Sequence, residues 1–448
     1  MKRLMIILLT VLLIVPVTAQ KRLTLNEAIT IALQKNTMLT KMKNSISVSE
    51  SQYKSAIGDF LPSLGARAGW NWQKVDDIGG TQRDFFGNDV DIPASSVDSR
   101  SYSLGIGGGV TLFNGLSNIA SLYQKKDLLG AAEYSISKMK QDIVYRTTDL
   151  YFMVLNAEDL LKVREENVKY FKKLYETISE RNQLGSVPLA DVYTAQVQLG
   201  NAELLLIQAQ NTAETLKSQL LGYLALNVLE DYSLVDPIKS DTSVDTNAYI
   251  NDFESMDLMV KAALDKRLDY KSKLSEMNAA ENAITMAKSG LFPTLSLDYS
   301  YSTGASKVTN LFDRKVLNIG MTFSVPIFSN FNTEAAIQSS QINFMNVKED
   351  VQELERQIKI EVKQTYLDLT AAKKSLDVAI KNVTAAQENQ KINQERYNLG
   401  SATILEVLQA NRDNIDAQRN QINASFEFYR QYYKLNNALG RLEFSKYE

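Results

Sequence analysis

One long unit occurs twice in this chain, and this duplication restricts the possible folds more than any other feature of the sequence. Ala32-Leu-Gln-Lys35 recurs as Ala263-Leu-Asp-Lys266, and Phe60-Leu-Pro-Ser-Leu64 recurs as Leu291-Phe-Pro-Thr-Leu295 at the same spacing. Further along, other short matches follow in the same order. The chain is therefore expected to contain two copies of one supersecondary unit.

The copies define the expected domain organisation. We predict a signal peptide at 1–19, a first repeat at 20–222, an inter-repeat segment at 223–257, a second repeat at 258–440 and a short tail at 441–448. Each repeat is predicted to run helix, strand, strand, helix, helix. The predicted elements are helix 24–60, strands 62–73 and 101–113, and helices 117–182 and 189–222, then helix 258–290, strands 293–303 and 316–327, and helices 332–398 and 402–439.

The N-terminus has the pattern of an export signal. Lys2 and Arg3 precede an apolar stretch over 4–15, and Val17-Thr-Ala19 provides small residues for cleavage. The alternative is an uncleaved anchor helix, but the apolar stretch is short for a membrane span. We therefore expect an exported protein.

Four segments alternate between apolar residues and small or polar ones, which is the pattern of β-strands with two different faces. The apolar faces comprise Leu64, Ala66, Ala68, Trp70 and Trp72; Tyr102, Leu104, Ile106, Val110 and Leu112; Leu295, Leu297, Tyr299 and Tyr301; and Leu317, Ile319, Met321, Phe323 and Val325. Each segment is about as long as a tilted membrane-spanning strand. A soluble antiparallel sheet with one buried face would show the same alternation.

Two features favour the membrane interpretation. The aromatic side chains Trp70, Trp72, Tyr102, Tyr299 and Tyr301 are placed as membrane-interface residues, and the opposite face has few charges. Four strands cannot close a barrel, and an open sheet edge is not tolerated in hydrocarbon. The missing strands must come from other copies: two chains would form a filled 8-stranded barrel, and three a 12-stranded barrel with a lumen.

The remaining segments predict long helices. Apolar residues in 332–398 recur about every 3.6 positions, which predicts one nearly straight helix of about 100 Å. The helix pairs are joined by two equivalent turns, Leu184-Gly185-Ser186 and Leu399-Gly400-Ser401. Glycine commonly ends a helix, so the turns have a structural explanation. As a repeated surface at the helix tips, they also suit a docking site.

A carboxylate follows each turn, Asp191 in the first copy and Glu406 in the second. An acidic residue in the first helical turn is favoured by the helix dipole. The alternative is that these carboxylates form a ring at a pore mouth and favour cations. Both interpretations remain open.

Composition excludes several kinds of chemistry. The chain has no cysteine and no histidine, which excludes Cys/His zinc sites, thiol nucleophiles and histidine-based triads. A net charge of −3 provides no basic surface for nucleic acid. Asp76-Asp77 could serve glycoside hydrolysis, but the pair lies in 74–99, which is predicted to be an exposed loop. We expect neither an enzyme nor a cofactor.

The duplicated unit resembles the TolC family of outer-membrane efflux channels. Leu61-Pro62 and Phe292-Pro293 stand where that family passes from helix to barrel, and Arg396-Tyr397-x-x-Gly400 matches its hairpin motif. The resemblance implies a mainly α fold with a small β part: a trimer whose 12-stranded transmembrane β-barrel stands on a long periplasmic α-helical barrel. It also implies a location in the outer membrane of a Gram-negative bacterium.

The resemblance further implies partners and site residues. An inner-membrane pump would deliver substrates through a periplasmic adaptor that meets the hairpin tips. Leu184, Gly185, Ser186, Leu399, Gly400 and Ser401 would contact the adaptor, and Tyr397 and Glu406 would lie at a constriction that opens when the inner helices untwist. Asp191 is added to the constriction on the carboxylate-ring interpretation.

Three functions follow as hypotheses. The first is a passive trimeric duct that passes drugs or other small molecules from a pump and adaptor to the exterior. The second is the outlet of a one-step (type I) protein secretion system. The third, of another class, is a structural or adhesive coiled-coil protein anchored by a small β-domain, which would conduct no ions.

Overall fold

The computed structural model describes residues 21–237, 253 and 255–447. The predicted signal peptide lies outside these residues, as does 238–252 of the predicted inter-repeat segment. Across the described part of the chain, no helix combines the length and hydropathy that crossing a membrane requires.

The first half of the chain forms six strands and four helices within the described residues. In chain order they are β1 (Lys21–Leu23), α1 (Leu25–Lys35), α2 (Thr37–Gly58), β2 (Gly65–Asp77), β3 (Gly80–Arg83), β4 (Asp89–Ile92), β5 (Ser95–Asn114), α3 (Ser117–Gln183), α4 (Leu189–Tyr223) and β6 (Tyr232–Leu234). The second half repeats the longer elements as α5 (Met256–Lys266), α6 (Leu268–Lys288), β7 (Thr294–Ala305), β8 (Lys315–Ser324), α7 (Asn332–Asn398) and α8 (Ile404–Ala438).

The four long strands form one antiparallel sheet in the order β2-β5-β7-β8. Trp70 pairs with Tyr102 between the first two strands, and Tyr301 of β7 pairs with Ile106 and Leu317 on either side. Strands from both repeats thus share one sheet, whose edges are β2 and β8.

The chain divides into two compact units that do not coincide with the two repeats. The first comprises the described residues of Met1–Thr40, Lys138–Arg267 and Gln357–Glu448, and the second comprises Lys41–Ser137 and Leu268–Arg356. Each unit therefore takes segments from both repeats. The four-stranded sheet belongs to the second unit, and both helix-connecting turns belong to the first.

Aromatic residues fill the core of the first unit. Phe152 of α3 stacks on Tyr429 of α8 with ring centroids 6.0 Å apart, and it also contacts Phe426. Nearby, the Tyr151 hydroxyl lies 2.8 Å from the Leu23 carbonyl oxygen and 2.7 Å from that of Val235, and it accepts a hydrogen bond from the Val235 amide. This hydroxyl ties the parallel pair β1 and β6 to α3.

The prediction of one continuous helix at 24–60 and another at 258–290 is wrong in both cases. Each is broken near its start, at Asn36 and at Arg267, where the backbone is extended. The Asn36 side chain accepts a hydrogen bond from the Leu39 amide and so begins the next helix. Arg267 is held by Glu361 and by the carbonyl oxygen of Ala438. The repeated motif that ends in Lys35 and Lys266 therefore marks a helix end in each copy.

The expectation of an exposed loop at 74–99 is wrong in part. Strands β2 and β5 continue into this segment as far as the pair Asp77 and Ser95, and β3 and β4 form a further hairpin inside it. Strand β5 contains an irregularity near its end. The register shifts between Thr111 and Phe113, so that Phe113 pairs with Leu295 and Leu112 has no partner in the register between β5 and β7.

Candidate functional site

The two turns between the long helices have the same backbone structure. Gly185 and Gly400 have φ values of 71° and 76°, in the left-handed region that favours glycine. The Ser186 amide donates to the Arg181 carbonyl oxygen at 2.8 Å, and the Ser401 amide donates to that of Arg396 at 2.8 Å. Each turn is therefore a Schellman motif, and the glycine is required by its backbone angle.

Exposed leucines mark both turns. Leu184 is 82% exposed and Leu399 is 84% exposed, so neither side chain packs against its own chain. A Cβ atom added at Gly185 or Gly400 would meet nothing within 4 Å. Each turn thus presents an uncovered apolar side chain next to a glycine, which is a surface that a partner can contact.

The helix that follows the second turn has a complete capping box. The Glu406 carboxylate accepts hydrogen bonds from the Thr403 amide at 2.6 Å and the Thr403 hydroxyl at 3.0 Å, and the Glu406 amide donates to that hydroxyl. These bonds, with a smaller contribution from Arg396, hold the pKa of Glu406 below its usual range. Arg396 Nη1 lies 3.7 Å from Glu406 Oε1. Glu406 therefore has a local structural role.

The helix after the first turn begins differently. Its N-cap position is Pro188, which makes no side-chain cap bond, and the Asp191 amide donates to the Pro188 carbonyl oxygen at 3.1 Å. The two predicted carboxylates therefore differ in their surroundings, although they follow equivalent turns.

One apolar cluster joins the two helix pairs near their turns. Its buried members come from all four helices and are Phe171, Leu174, Ile178, Val192, Ala195, Ala202, Tyr397, Ile404, Val407 and Leu408. Tyr397, the predicted constriction residue, is thus part of a packed core, and only 7% of it is exposed.

The Tyr397 side chain lies between opposite charges. The Arg181 guanidinium stands over its ring, 5.5 Å from the centroid. Burial raises the pKa of Tyr397, and the negative charge of Asp191 raises it further, whereas Arg181 opposes this shift. Among the described residues, its hydroxyl has no hydrogen-bond partner of good geometry. The structure therefore brings Tyr397 and Asp191 together and adds Arg181, which the sequence did not single out.

The equivalent residue of the first repeat does something else. Asn182 donates a hydrogen bond from its amide to the Val187 carbonyl oxygen at 2.7 Å and so closes its own turn. Asn182 acts within one hairpin, whereas Tyr397 reaches the core that both hairpins share. The two copies are alike in backbone but different in this side chain.

A ladder of buried amides also connects the helices near the turns, and sequence reasoning missed it. Asn411 donates to Asn167 at 3.1 Å and accepts from Gln390 at 2.6 Å, while Asn414 donates to Gln390 at 2.5 Å. The ladder joins α3, α7 and α8. The one signal in the sequence is the polarity of 409–421, which is unusual for a packed helix.

The apolar face of the sheet in the second unit is not covered by its own chain. On β8, Ile319 is 69% exposed and Met321 is 63% exposed, and Leu104, Ile106 and Tyr301 are exposed on the neighbouring strands. A soluble sheet of this composition would bury such a face. The face therefore requires another apolar environment.

The predicted interface aromatics lie at two levels of this face. Trp70 pairs with Tyr102, and the Trp72 indole donates to Asp98 at 2.7 Å. Tyr299 pairs with Gly108, and its hydroxyl donates to the Ser63 carbonyl oxygen at 2.7 Å. Tyr102 and Gly108 are both on β5, so the two levels are about 20 Å apart along the strand. Tyr301 lies between them.

A four-stranded sheet with an uncovered apolar face and two long helical hairpins from a duplicated chain define a class of protein, the outer-membrane channel subunit. The particular family can also be stated. The chain belongs to the outer membrane efflux protein family, whose model matches residues 28–225 and 259–441.

Individual relatives agree with this family. The chain is 24% identical to the outer membrane protein TolC of Salmonella enteritidis over 359 residues, covering 78% of this chain and 71% of the relative. It is 24% identical to TolC of Escherichia coli K12 over 362 residues, with the same shares of both chains covered. Among solved structures, the Campylobacter jejuni CmeC outer membrane channel shares the fold, with a TM-score of 0.79, 18% identity, and coverage of 94% of this chain and 88% of that one.

Proposed function

We propose that this protein is the trimeric outer-membrane exit duct of a tripartite efflux system. Three chains would each contribute the four-stranded sheet to a 12-stranded barrel with a lumen, and the helical hairpins would extend into the periplasm. The duct is passive and performs no chemical reaction, since the inner-membrane pump supplies the free energy.

The observation that carries this proposal is that the four-stranded sheet has an uncovered apolar face and two edge strands. Its apolar face is exposed, and β2 and β8 pair with no further strand among the described residues. Unpaired backbone groups are costly in hydrocarbon, so a sheet with this face in lipid must close on itself. Four strands are too few for closure, and copies of the same chain are the simplest source of the others.

The two aromatic levels support the membrane position of the sheet. A spacing of about 20 Å between Trp70 and Tyr299 is close to the height of the apolar band on membrane barrels. We propose that these residues, with Trp72, Tyr102 and Tyr301, anchor the sheet at the lipid interfaces.

We propose that the two turns dock the periplasmic adaptor. Leu184, Gly185 and Ser186 form one contact surface and Leu399, Gly400 and Ser401 form the other. Their shared backbone structure and exposed leucines support this role, because one adaptor segment can then recognise both turns of every chain.

We propose that Tyr397, Glu406 and Asp191 form the constriction at the same end. The buried Tyr397 and the Arg181 above its ring tie the second hairpin to the first, which favours the closed arrangement. Opening would separate them and expose the Tyr397 side chain. The carboxylates would then favour the passage of cations.

Small organic molecules are the proposed cargo. The face of the sheet opposite the apolar one consists largely of glycine, serine and threonine, which provide few groups to select one compound. We therefore assign selection to the pump. Loss of this gene is expected to sensitise cells to several unrelated drugs. Loss of one secreted polypeptide from the medium would instead favour the type I secretion outlet.

The experiment that tests the duct combines particle mass with single-channel conductance of the purified protein. We expect a trimer with a small, mostly closed conductance. The conductance should rise when Tyr397→Ala and Glu406→Gln are combined, because the link between hairpins and the capping box are both weakened. Tyr123→Ala is the control, since this tyrosine is exposed on α3 in the other unit.

Two results would contradict the proposal. A monomer that conducts no ions would remove the shared barrel, and the adhesive coiled-coil hypothesis would then take its place. If Tyr123→Ala raises the conductance of the trimer equally, the increase is not specific to Tyr397 and Glu406, and these residues do not form the constriction.

A further inference from the structure

A groove in the first unit has the dimensions of a ligand site. It lies over α3 between α4 and α8 and has a volume of about 630 Å³. Sites for small organic ligands fall in the range of about 300–1,000 Å³. The apolar part of its wall includes Met153, Leu160 and Val163 from α3 and Leu205, Ala209 and Leu216 from α4.

Three arginines line the same groove, and two of them are neutralised. Arg430 lies 2.6 Å from Asp149 and 3.0 Å from Glu427. Arg419 lies 3.4 Å from Asp416. Both guanidiniums therefore have carboxylate partners within their own chain.

Arg164 is different. Within the part of the chain that the structure describes, no carboxylate forms an ion pair with it, and its side chain is half-buried. Burial lowers the pKa of Arg164 and the positive charge of Arg419 lowers it further, whereas the negative charge of Asp416 opposes this shift. The guanidinium nevertheless stays protonated at neutral pH. Among the described residues that line the groove, Arg164 is therefore the arginine without a direct ion pair, and it lies beside an apolar wall.

The polar groups nearby form no ion pair with Arg164, although the Asp416 carboxylate acts on it at longer range. The Asn156 amide donates to the Asn423 side-chain oxygen at 3.1 Å, which links α3 to α8 and leaves that oxygen occupied. A half-buried cation without a partner is unfavourable, so an anion that enters the groove gains a charge-assisted hydrogen bond. The apolar wall would at the same time cover a hydrocarbon or aromatic body.

We propose that this groove binds a small amphiphilic organic anion, whose carboxylate or sulfonate group contacts Arg164 and whose apolar body lies against α3 and α4. The site is formed within one chain and does not depend on the proposed duct. Bound there, the anion would connect α8 with the hairpin formed by α3 and α4.

The test uses the full-length protein in a nonionic detergent, with naphthalene-2-sulfonate as the probe and uncharged 2-naphthol for comparison. Equilibrium dialysis is expected to show saturable binding of one sulfonate per chain, and weaker binding of naphthol. Arg164→Gln should weaken sulfonate binding about tenfold, the effect of losing one charge-assisted contact. It should leave naphthol binding nearly unchanged, while Arg164→Lys should retain most of the sulfonate affinity.

Two further variants separate binding from folding. Ala209→Phe fills the groove while keeping Arg164, and it is expected to abolish binding of both probes. Arg356→Gln is the matched control, because this arginine is exposed, lies in the other unit and pairs with Glu353. It should bind sulfonate like the unaltered protein.

Three results would overturn the proposal. The first is equal binding of the sulfonate and naphthol, which would show that Arg164 provides no recognition. The second is unchanged binding in Ala209→Phe, which would place the probe elsewhere, including in detergent micelles. The third is no saturable binding, as expected if a neighbouring copy of the chain covers the groove.

Discussion

At the scale of single residues, the repeats preserve backbone angles more faithfully than side chains. Ala225 and Gly440 follow the ends of α4 and α8, and both have positive φ values, 52° and 65°. The next amide donates back to the helix in each copy, from Leu226 to Leu221 and from Arg441 to Asn436, at 2.9 Å. An alanine at such a position is strained, because its Cβ crowds the backbone.

We therefore expect Ala225→Gly to stabilise the protein by about 1 kcal/mol, by removing this strain. Gly440→Ala should destabilise it by at least as much, since the new Cβ would also stand 3.2 Å from the Arg267 amide nitrogen. Thermal unfolding of the two variants provides the measurement. If both substitutions shift the unfolding temperature in the same direction, the explanation from backbone strain is wrong.

The turn glycines provide a second prediction at this scale. Gly400→Val should impair adaptor binding more than trimer assembly, because valine disfavours the left-handed angle while the site has space for its side chain. Gly200→Val is a matched control within α4, where the glycine also has open space and no positive φ is recorded. Adaptor pull-down and particle mass are the measurements. Normal export with both Gly185 and Gly400 replaced would refute the docking role.

At the scale of elements, the strands carry the membrane hypothesis. Ile319→Arg, or Leu104→Arg on β5, places a charge on the apolar face and should weaken membrane insertion by about 2–4 kcal/mol per chain. Asn318→Arg is the control. Asn318 lies on the same strand as Ile319 but on the opposite face, where it pairs with Ser300 of β7. The measurement is the fraction of each variant that folds into lipid vesicles as the urea concentration is increased. Equal loss in the two β8 variants would mean that the lipid-facing side has been assigned incorrectly.

The elements also show what sequence reasoning can predict. Apolar periodicity predicted α7 well, and the duplication extended that prediction to the equivalent helix α3. Periodicity missed the break at Asn36, although asparagine is a favoured N-cap residue and its side chain accepts a hydrogen bond from the Leu39 amide. The break at Arg267 could not be predicted in this way, since its partners Glu361 and Ala438 are far away in the chain.

The same limit applies to the candidate site. The turn motifs could be found from the duplication, because both copies can be compared position by position, whereas Tyr397 was indicated by the resemblance of its turn to the family hairpin motif. The position of Arg181 over the Tyr397 ring and the ladder from Asn167 to Asn411 depend on packing between different hairpins. A repeat identifies equivalent positions within the chain but does not show which of them come into contact.

At the scale of the whole molecule, the two compact units each need both repeats. The first unit combines Lys138–Arg267 with Gln357–Glu448, and Phe152 of one segment packs on Tyr429 of the other. Neither repeat contains this core alone. Folding is thus expected to require the whole chain, although the sequence consists of two similar halves.

We therefore expect that a chain cut between residues 245 and 246 still assembles when both fragments are expressed together. Either fragment alone should be degraded, because its half of the aromatic core would be exposed. Co-purification of the fragments and their separate accumulation are the measurements. Stable accumulation of one fragment by itself would show that a repeat is an independent folding unit.

The difference between Asn182 and Tyr397 has an evolutionary consequence. In an assembly of chains that each contained a single repeat, all subunits would be encoded by one gene. A substitution in the turn between the helices would then appear in every hairpin of the assembly. Fusion of two copies removes this constraint, because each half can mutate separately. One half could keep a residue that only closes its turn, while the other acquired an aromatic side chain that holds neighbouring hairpins together. Gene duplication thus permitted division of labour within a single polypeptide.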